Sequence, residues 1–595
     1  MSKRSLLLVL FISVFLVATR FIALDTLPPF LTHDEVVYGI VAKSFAVQGS
    51  SLTQDQTWYS MRPVHPFYAE LPALLMTPFF WLTDNPLLAV RLPTALMGVT
   101  FPFIFGWFCW GIWKNKTLVW AAILVAAVNP LWWQFSRLSY DAVYSTFFYF
   151  LGGAIFFSRK KWAFLWSIPV FALGFFQYQG FKLLLLPWVG LLTVVWFLIQ
   201  NTNVFARLQL WRKPMSLTRL FMQIRMLPLV SCAVLFFVYA VFMLPNENVD
   251  GRLEGTLLQD QSVLSEIVND QRRKALQLPI TPLFVNKLTA LVQLSADRLF
   301  GSFSPQMLFL HSEPSASGFA VWSHGLFYLI DIFLLLLGIG ALQQKKTRAV
   351  GLAFLLTLPF FAAPVIINLT SEWYLLRSYF AYTLMLLIIS WGALVWWQSK
   401  FRWLLVAAYS LSVLNFASQY FIRYPVMGSD AGFFSERVLS QYIHWVREGY
   451  PDEPITVYTI DPPILLSSYL LHSGSVSSKS AEQIAAAFRD KTYVFDNITF
   501  VHACVDDDDG QRLGITEAVR DRCRSLTEFS ADANKITIPA LKDSGSVYEI
   551  LNDSICAKYD LGTFIQVDNL DKFRLQEMNE EDFCRQWITD LKKVS

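Results

Sequence analysis

The chain has 595 residues, of which 54% are hydrophobic and 16% aromatic, while only 16% are charged. Soluble proteins carry roughly a quarter charged residues, so this composition excludes an ordinary soluble chain. The formal net charge of +3 is too small to indicate nucleic-acid binding. Long stretches without ionisable residues alternate with short polar breaks, which is the pattern of repeated membrane spans.

These stretches predict a mainly helical, polytopic membrane bundle with about eleven spans. The first span follows Lys3 and Arg4 and has no small-residue cleavage site before the acidic loop, so we interpret it as a retained helix and not as a signal peptide. The approximate limits of the spans are 5–24, 91–113, 117–136, 142–158, 162–178, 182–199, 227–244, 325–342, 349–367, 378–398 and 403–421.

The charges between the spans predict the orientation of the bundle. A basic start places the N-terminus inside, and an odd number of spans then places the C-terminal segment outside. The expected inner segments contain no Asp or Glu, but they contain Lys3, Arg4, Lys114, Lys116, Arg159, Lys160, Lys161, Arg207, Arg212, Lys213, Arg219, Arg225, Lys345, Lys346, Arg348, Lys400 and Arg402. This is the bias of the positive-inside rule, and it predicts a multi-pass plasma-membrane protein with extracytoplasmic acidic loops.

Two domains are expected. Residues 1–423 form the membrane domain, with large outer loops at 25–90 and 245–324, and residues 424–595 form an extracytoplasmic domain. Helical and strand-like stretches alternate in this tail and predict a small α/β fold. These stretches are helical 430–448, strand-like 455–460, helical 480–490 and strand-like 492–501.

Four of the six cysteines lie in this tail: Cys504, Cys523, Cys556 and Cys584. An oxidising compartment permits disulfides, and we expect at least one, the alternative being unpaired core thiols. No Cys/His spacing in the tail resembles a zinc site.

The first outer loop carries an acidic pair, Asp34 and Glu35, close to the expected membrane surface. Thr32 and Glu35 form a capping-box pattern, and the apolar residues after them predict an amphipathic helix to about Gln48, before Gly49. Glu35 therefore has a structural explanation, whereas a helix start does not need Asp34 as well. Carboxylates at a membrane margin are candidates for function.

Other charged residues are expected near the same surface. Asp141 follows the third span, and counting crossings places it on the same side as Asp34, so the two are expected to converge. Alternatively, Asp141 caps the fourth span, with Ser139 as a competing cap.

Cations at outer span ends either snorkel or bind a lipid-linked phosphate. They are Arg62, Arg91, Arg137, Lys182 and Arg377.

Several segments resemble the membrane glycosyltransferases of the C-type fold, with protein O-mannosyltransferases and the aminoarabinose transferases of lipid A as the most similar branches. The segments are His33-Asp34-Glu35, Pro63-Val-His65-Pro66, Ala89-Val-Arg91-Leu-Pro93 and Arg137 to Asp141, followed by the softer matches Phe303-Ser-Pro305, Leu369-Thr370, Leu376-Arg377-Ser378 and Gln419-Tyr-Phe421 with Tyr424-Pro425. The resemblance covers about residues 5–470 and favours a bacterial member; the tail beyond about 500 matches nothing.

The resemblance implies an inverting transfer of a sugar from a polyprenyl-phosphate carrier to a hydroxyl of a protein, lipid or glycan. It implies Asp34 as the base, with Glu35 supporting it and Asp141 orienting acceptor or base. It also implies cations around the donor phosphate, namely Arg91, Arg137, Lys182 and Arg377. His65 stands where several relatives carry a lysine, which weakens its assignment to the phosphate. No metal or cofactor is expected, because the lipid-linked sugar is itself a substrate.

Two other classes compete with this interpretation. A transporter or flippase of lipid-linked sugars would also be polytopic, but transporters place their ionisable residues near the midplane of the membrane. In this chain the ionisable residues cluster at the expected outer margin, and Asp331, the only acid well inside a predicted span, lies nearer its outer end, which argues against a transporter. A non-catalytic assembly or receptor protein would leave the acidic pair with no purpose beyond capping.

Overall fold

The computed structural model describes residues 3–57, 60, 68–158, 162–200, 224–243, 262–312, 321, 324–344, 347–368, 375–428, 433–504, 513–518, 535–541 and 545–590. His65, Arg62, Cys523 and the Leu369-Thr370 segment, on which predictions were made above, lie outside these residues.

Helices dominate the first three quarters of the chain. Their bounds are α1 (Lys3–Phe21), α2 (His33–Gln48), α3 (Pro72–Met76), α4 (Pro86–Trp113), α5 (Lys116–Val128), α6 (Pro130–Phe135), α7 (Asp141–Phe156), α8 (Ser167–Phe175), α9 (Leu185–Gln200), α10 (Leu227–Val238), α11 (Ser262–Arg273), α12 (Thr281–Phe284), α13 (Lys287–Ser302), α14 (Ile330–Leu342), α15 (Arg348–Thr357), α16 (Ala363–Ile366), α17 (Leu375–Trp397), α18 (Arg402–Ser418) and α19 (Tyr424–Met427).

Within the described residues, five helical segments are long and apolar enough to cross a membrane: Pro86–Trp113, Gln179–Gln200, Arg348–Ile366, Leu375–Trp397 and Arg402–Met427. Shorter apolar helices accompany them, among them Ser5–Phe21, Lys116–Val128 and Ile330–Leu342. The chain is thus a multi-pass membrane protein, whereas the number of eleven spans and their orientation stay predictions.

One predicted span is broken in the structure. The stretch 117–136 was expected to be continuous, but α5 ends at Val128 and α6 begins at Pro130. Proline disfavours the helical conformation of the residue before it, and Asn129 is accordingly extended, at φ −63° and ψ 132°. The Asn129 side chain then caps α6 by accepting a hydrogen bond from the Trp132 N–H at 3.2 Å.

Two glycines allow α14 and α17 to approach closely. A Cβ added to Gly338 of α14 would overlap the backbone carbonyl of Ile388, and one added to Gly392 of α17 would overlap that of Leu334. In membrane bundles such small residues permit backbone-to-backbone packing where the hydrophobic effect between helices is absent.

The C-terminal region is a mixed α/β fold, as the sequence predicted. Its sheet has seven strands in the order β2-β3-β1-β4-β6-β5-β7, with β1 parallel to β3 and β4 and the remaining pairs antiparallel. The strands are β1 (Ile455–Tyr458), β2 (Val494–Phe495), β3 (Ile498–Val501), β4 (Leu513–Glu517), β5 (Lys535–Pro539), β6 (Ser546–Leu551) and β7 (Thr589–Asp590). The helices are α20 (Phe433–Gly449), α21 (Pro462–His472), α22 (Ala481–Arg489) and α23 (Glu580–Trp587).

The expectation of at least one disulfide in this region is confirmed. Cys556, which follows β6, is bonded to Cys584 of α23, and Cys504 is also disulfide-bonded. Cys109 and Cys232, in the apolar helices α4 and α10, are free and buried.

The C-terminal region and the segment between α1 and α4 share one hydrophobic core. Val36 and Ile40 of α2 belong to the same buried cluster as Leu466 and Leu470 of α21 and Ile455 of β1. The predicted boundary near residue 424 stays a prediction, but the tail packs directly on the helix that carries the acidic pair.

The contact between α14 and α17 gives a first prediction. Gly338→Ala is expected to lower the free energy of unfolding by about 1–3 kcal/mol, because its methyl group meets backbone that has no room to move. Gly340→Ala, two residues further along α14, is the matched control, since a Cβ there has no neighbour within 4 Å. The measurement is the midpoint of thermal unfolding in detergent, and equal midpoints for the two variants would contradict the close contact.

Candidate active site

The predicted capping box at the start of α2 is present, and its Glu35 side chain is fully buried. Its Oε2 accepts hydrogen bonds from the N–H of Thr32 at 3.1 Å and from its hydroxyl at 3.2 Å. Its Oε1 accepts one from the N–H of Ser139 at 2.8 Å and lies 3.5 Å from Nε of Arg91. Both carboxylate oxygens of Glu35 are therefore occupied, and Glu35 ties α2 to the turn before α7.

Arg91, on α4, is fully buried and holds the backbone between α1 and α2. Besides Glu35, its guanidinium donates to the carbonyl oxygens of Leu24 at 3.4 Å, of Pro28 at 2.7 Å and of Phe30. A phosphate would reach the Arg91 side chain only if the segment between α1 and α2 moved. The geometry therefore gives Arg91 a structural role, while its predicted role in phosphate binding stays a prediction.

Arg137 and Arg437 act on the same backbone. The fully buried guanidinium of Arg137 donates to the carbonyl oxygens of Thr19, Ile22, Ala23 and Leu27, at 2.8–3.1 Å. Arg437, on α20, donates to the carbonyl oxygen of Pro29 at 2.8 Å. Three arginines from three separate elements therefore satisfy the carbonyl groups of the turn that leads to Asp34.

Asp141 is the first residue of α7, and its side chain is joined to α2. Its Oδ2 accepts a hydrogen bond of 3.0 Å from the hydroxyl of Tyr38, one turn after Asp34, and that hydroxyl accepts one of 2.7 Å from the N–H of Ala69. The N-cap of α7 is Tyr140, without a side-chain cap, so neither Asp141 nor Ser139 has the cap position.

Lys182 forms a buried ion pair with Glu70, which directly follows Ala69. The ammonium lies 2.6 Å from Oε1 of Glu70 and donates to the hydroxyl of Tyr239 at 2.7 Å. Oε2 of Glu70 and the side-chain amide of Gln177 are buried without hydrogen-bond partners among the described residues. A buried cluster of an acid, a cation and a hydroxyl therefore lies next to Ala69, which is hydrogen-bonded to the Tyr38–Asp141 pair.

Asp34 lies in the first turn of α2, partly buried, beside a histidine that is paired with the C-terminal region. Nε2 of His33 is 2.6 Å from Oε1 of Glu436 on α20, and the ring lies edge-on to Phe433. Burial alone would lower the pKa of His33, but Glu436 and then Asp34 outweigh it and raise the pKa above its usual value.

The apolar helices that carry these groups start at one end of the bundle. Phe150 of α7 contacts Phe380 of α17 with ring centres 5.5 Å apart, and Phe181, just before α9, lies 6.1 Å from Phe380. Lys182 and Arg377 therefore lie at the same end, and Arg377 is partly exposed in the first turn of α17. Asp141 is connected to Lys182 through Tyr38, Ala69 and Glu70. The roles of all these residues in donor binding and catalysis stay predictions.

Sequence reasoning missed Glu70, Tyr38 and Glu436. One signal was available for Glu70, which is the only acid between Gln56 and Thr83. The neighbouring sequence does not mark Tyr38 or Glu436 as part of a site, because a tyrosine or a glutamate is common on any amphipathic helix.

No family model matches this sequence, and no curated protein matches it. Among solved structures, the chain is similar to ArnT from Cupriavidus metallidurans in the apo state, with 12% identity, a TM-score of 0.46, and coverage of 92% of this chain and 98% of that one. It is also similar to the same protein bound to undecaprenyl phosphate, with 12% identity, a TM-score of 0.48, and coverage of 93% and 99%. At such TM-scores the similarity adds nothing to what the geometry says about the chemistry of the site.

The His33–Glu436 pair gives a pH-dependent prediction. The pKa of His33 is raised in the folded protein. The stability that the pair contributes is therefore fully present below the pKa of His33 in the unfolded chain, about 6.5, and is lost as the pH rises through its pKa in the folded protein. Thermal unfolding of the wild type and Glu436→Gln should therefore differ most at acidic pH and converge at alkaline pH. Glu448→Gln removes the exposed partner of His444 as the control and should change little. A difference that grows with pH would contradict the assignment.

The arginines give a third prediction. Arg91→Met should lower the free energy of unfolding by about 3–5 kcal/mol, because it leaves the buried Glu35 without its cation. Arg377→Met, at a partly exposed position, should leave stability nearly unchanged. Thermal unfolding is the measurement, and equal midpoints for the two variants would contradict the structural role of Arg91.

Proposed function

We propose that the chain is a glycosyltransferase that moves a sugar from a polyprenyl-phosphate carrier to a hydroxyl acceptor, with inversion at the anomeric carbon. The observation that carries the proposal is the connected set of Asp141, Tyr38, Glu70 and Lys182 beside Asp34, at one end of an apolar helix bundle. A lipid-linked phosphate sugar needs carboxylates and cations together at such a margin, with apolar surface beside them for its chain.

Asp34 is the residue best placed to act as the base. Glu35 uses both of its oxygens in holding α2, so it has no oxygen left for a substrate. The N-terminus of α2 favours a negative charge on Asp34. In the proposed step the acceptor oxygen attacks the anomeric carbon and loses its proton to Asp34. The bond from that carbon to the phosphate oxygen breaks, and polyprenyl phosphate leaves with the electron pair.

Asp141 and Glu70 are positioned to orient the acceptor and the cation. Tyr38 fixes the Asp141 carboxylate, and Glu70 fixes the Lys182 ammonium at the start of α9. Lys182 and Arg377 are the cations that we assign to the donor phosphate, since each stands at the start of an apolar helix. We assign no metal or cofactor to the reaction.

The proposal also places the reaction on the extracytoplasmic face of the plasma membrane. The positive-inside distribution of Lys and Arg supports this side. The C-terminal domain then lies outside as well, where its disulfides are stable. The acceptor is a hydroxyl of a glycan, a lipid or a protein.

Replacement of the proposed base tests the function. Asp34→Asn should lower the rate of transfer by about 10²–10⁴-fold, because the amide cannot accept the proton. Asp84→Asn is the matched control, since Asp84 is a fully exposed acid of the same loop, 4.0 Å from Lys43, and should retain the wild-type rate. The assay measures the release of undecaprenyl phosphate from undecaprenyl-phosphate mannose or aminoarabinose in the presence of an envelope extract.

Two outcomes of this assay would contradict the proposal. Wild-type rates for Asp34→Asn would remove Asp34 from the role of base. If the native protein released no undecaprenyl phosphate but moved the lipid-linked sugar between the leaflets of a vesicle, a flippase would replace the transferase.

A further inference from the structure

The helical hairpin formed by α11, α12 and α13 exposes an unusually apolar tip. Relative exposure is 80% for Leu276, 71% for Leu283, 66% for Phe284 and 68% for Leu288. Leu278, Ile280 and Val292 are also exposed. Contiguous apolar surface of this kind marks a site of interaction with a membrane or a protein.

Part of the backbone of this tip is hydrogen-bonded within the tip. The N–H groups of Leu278, Thr281, Leu283 and Val285 donate to carbonyl oxygens within the tip, at 2.8–3.0 Å. The side chain of Gln277 donates to the carbonyl oxygens of Arg272 and Ala275. A segment whose polar backbone groups are paired internally can leave water without the cost of exposing them to hydrocarbon.

The hairpin has its own small core and is fixed to the bundle at one end. Leu264 and Val268 of α11 pack against Ala290 of α13, and these three residues form a separate hydrophobic cluster. At the far end of α13 the carbonyl oxygen of Ser302 accepts a hydrogen bond of 2.8 Å from Tyr382, inside α17. The hairpin therefore starts at an end of the membrane helices, and α13 runs about 24 Å from there to the tip.

The charges around the tip have one sign. From Gln271 to Ala296 the chain contains Arg272, Arg273, Lys274 and Lys287 and no acid. Asp270 pairs with Lys274 at 2.7 Å and with Arg273 at 3.8 Å, which leaves a net positive rim at the base of the apolar tip. Cations next to exposed apolar side chains are typical of segments that lie in a membrane interface and contact anionic headgroups.

We propose that this hairpin is an in-plane membrane anchor, whose tip (residues 276–288) inserts into the leaflet on the side of the candidate site and whose cations contact anionic lipid headgroups. The segment belongs to 245–324, which the sequence predicts to be a large outer loop. Its insertion would hold the loop flat on the leaflet, next to the bundle. The proposal does not depend on the transferase activity, because it concerns the depth of the hairpin alone.

The test measures the environment of a nitroxide spin label in proteoliposomes. Leu283→Cys carries the label at the tip, and Glu266→Cys carries it on the exposed polar side of α11 as the matched control. The unsubstituted chain, whose free cysteines are buried, gives the background. At Leu283 we expect collisions with oxygen to exceed those with a water-soluble nickel reagent several-fold, and at Glu266 the reverse. Phe284→Cys replaces Leu283→Cys if that variant does not fold.

Vesicle composition tests the headgroup contact. The label at Leu283 should lie deeper in phosphatidylcholine vesicles with about a quarter phosphatidylglycerol than in phosphatidylcholine alone, and Arg272→Gln with Lys287→Gln should remove the difference. If the label at Leu283 lies equally deep in both kinds of vesicle in the protein that keeps Arg272 and Lys287, the headgroup contact is wrong. A tip label open to the nickel reagent would overturn insertion, and one shielded from both reagents would assign the surface to a protein partner or a second copy.

Discussion

The turn between α1 and α2 depends on buried arginines, and the candidate site depends on that turn. The carbonyl groups between Ile22 and Phe30 follow the end of α1 and must find donors, because buried backbone oxygens without partners are costly. Arg91, Arg137 and Arg437 supply those donors from α4, from the turn before α7 and from α20. The position of Asp34 is thus set by three distant elements together.

The parts of the site that were predictable from the sequence are those with local causes. Thr32 and Glu35 specify the start of α2 because a capping box is a contact between residues three apart, and the structure shows it as expected. The break at Asn129-Pro130 was also a local signal, but the uniform hydropathy around it concealed it. Glu70 with Lys182, and His33 with Glu436, join residues more than a hundred positions apart, and a single sequence holds no record of such pairs.

The division into a membrane part and a tail shows a second limit of prediction from the sequence. Hydropathy changes near residue 424 because strands and polar helices replace apolar ones, and the α/β fold that follows was predictable from their alternation. Hydropathy does not reveal, however, that α21 buries its apolar face on α2. Amphipathic patterns show that a face is buried without showing which surface covers it.

The contact between Arg437 and Pro29 also has a consequence for biogenesis. The two residues are 408 positions apart, so at about 5–20 residues per second a ribosome needs roughly 20–80 s to pass from one to the other. Throughout that interval the carbonyl of Pro29 lacks its donor Arg437, and the apolar face of α2 lacks the helix α21 that packs on it. The candidate site is completed only when the tail has been synthesised and has folded onto α2.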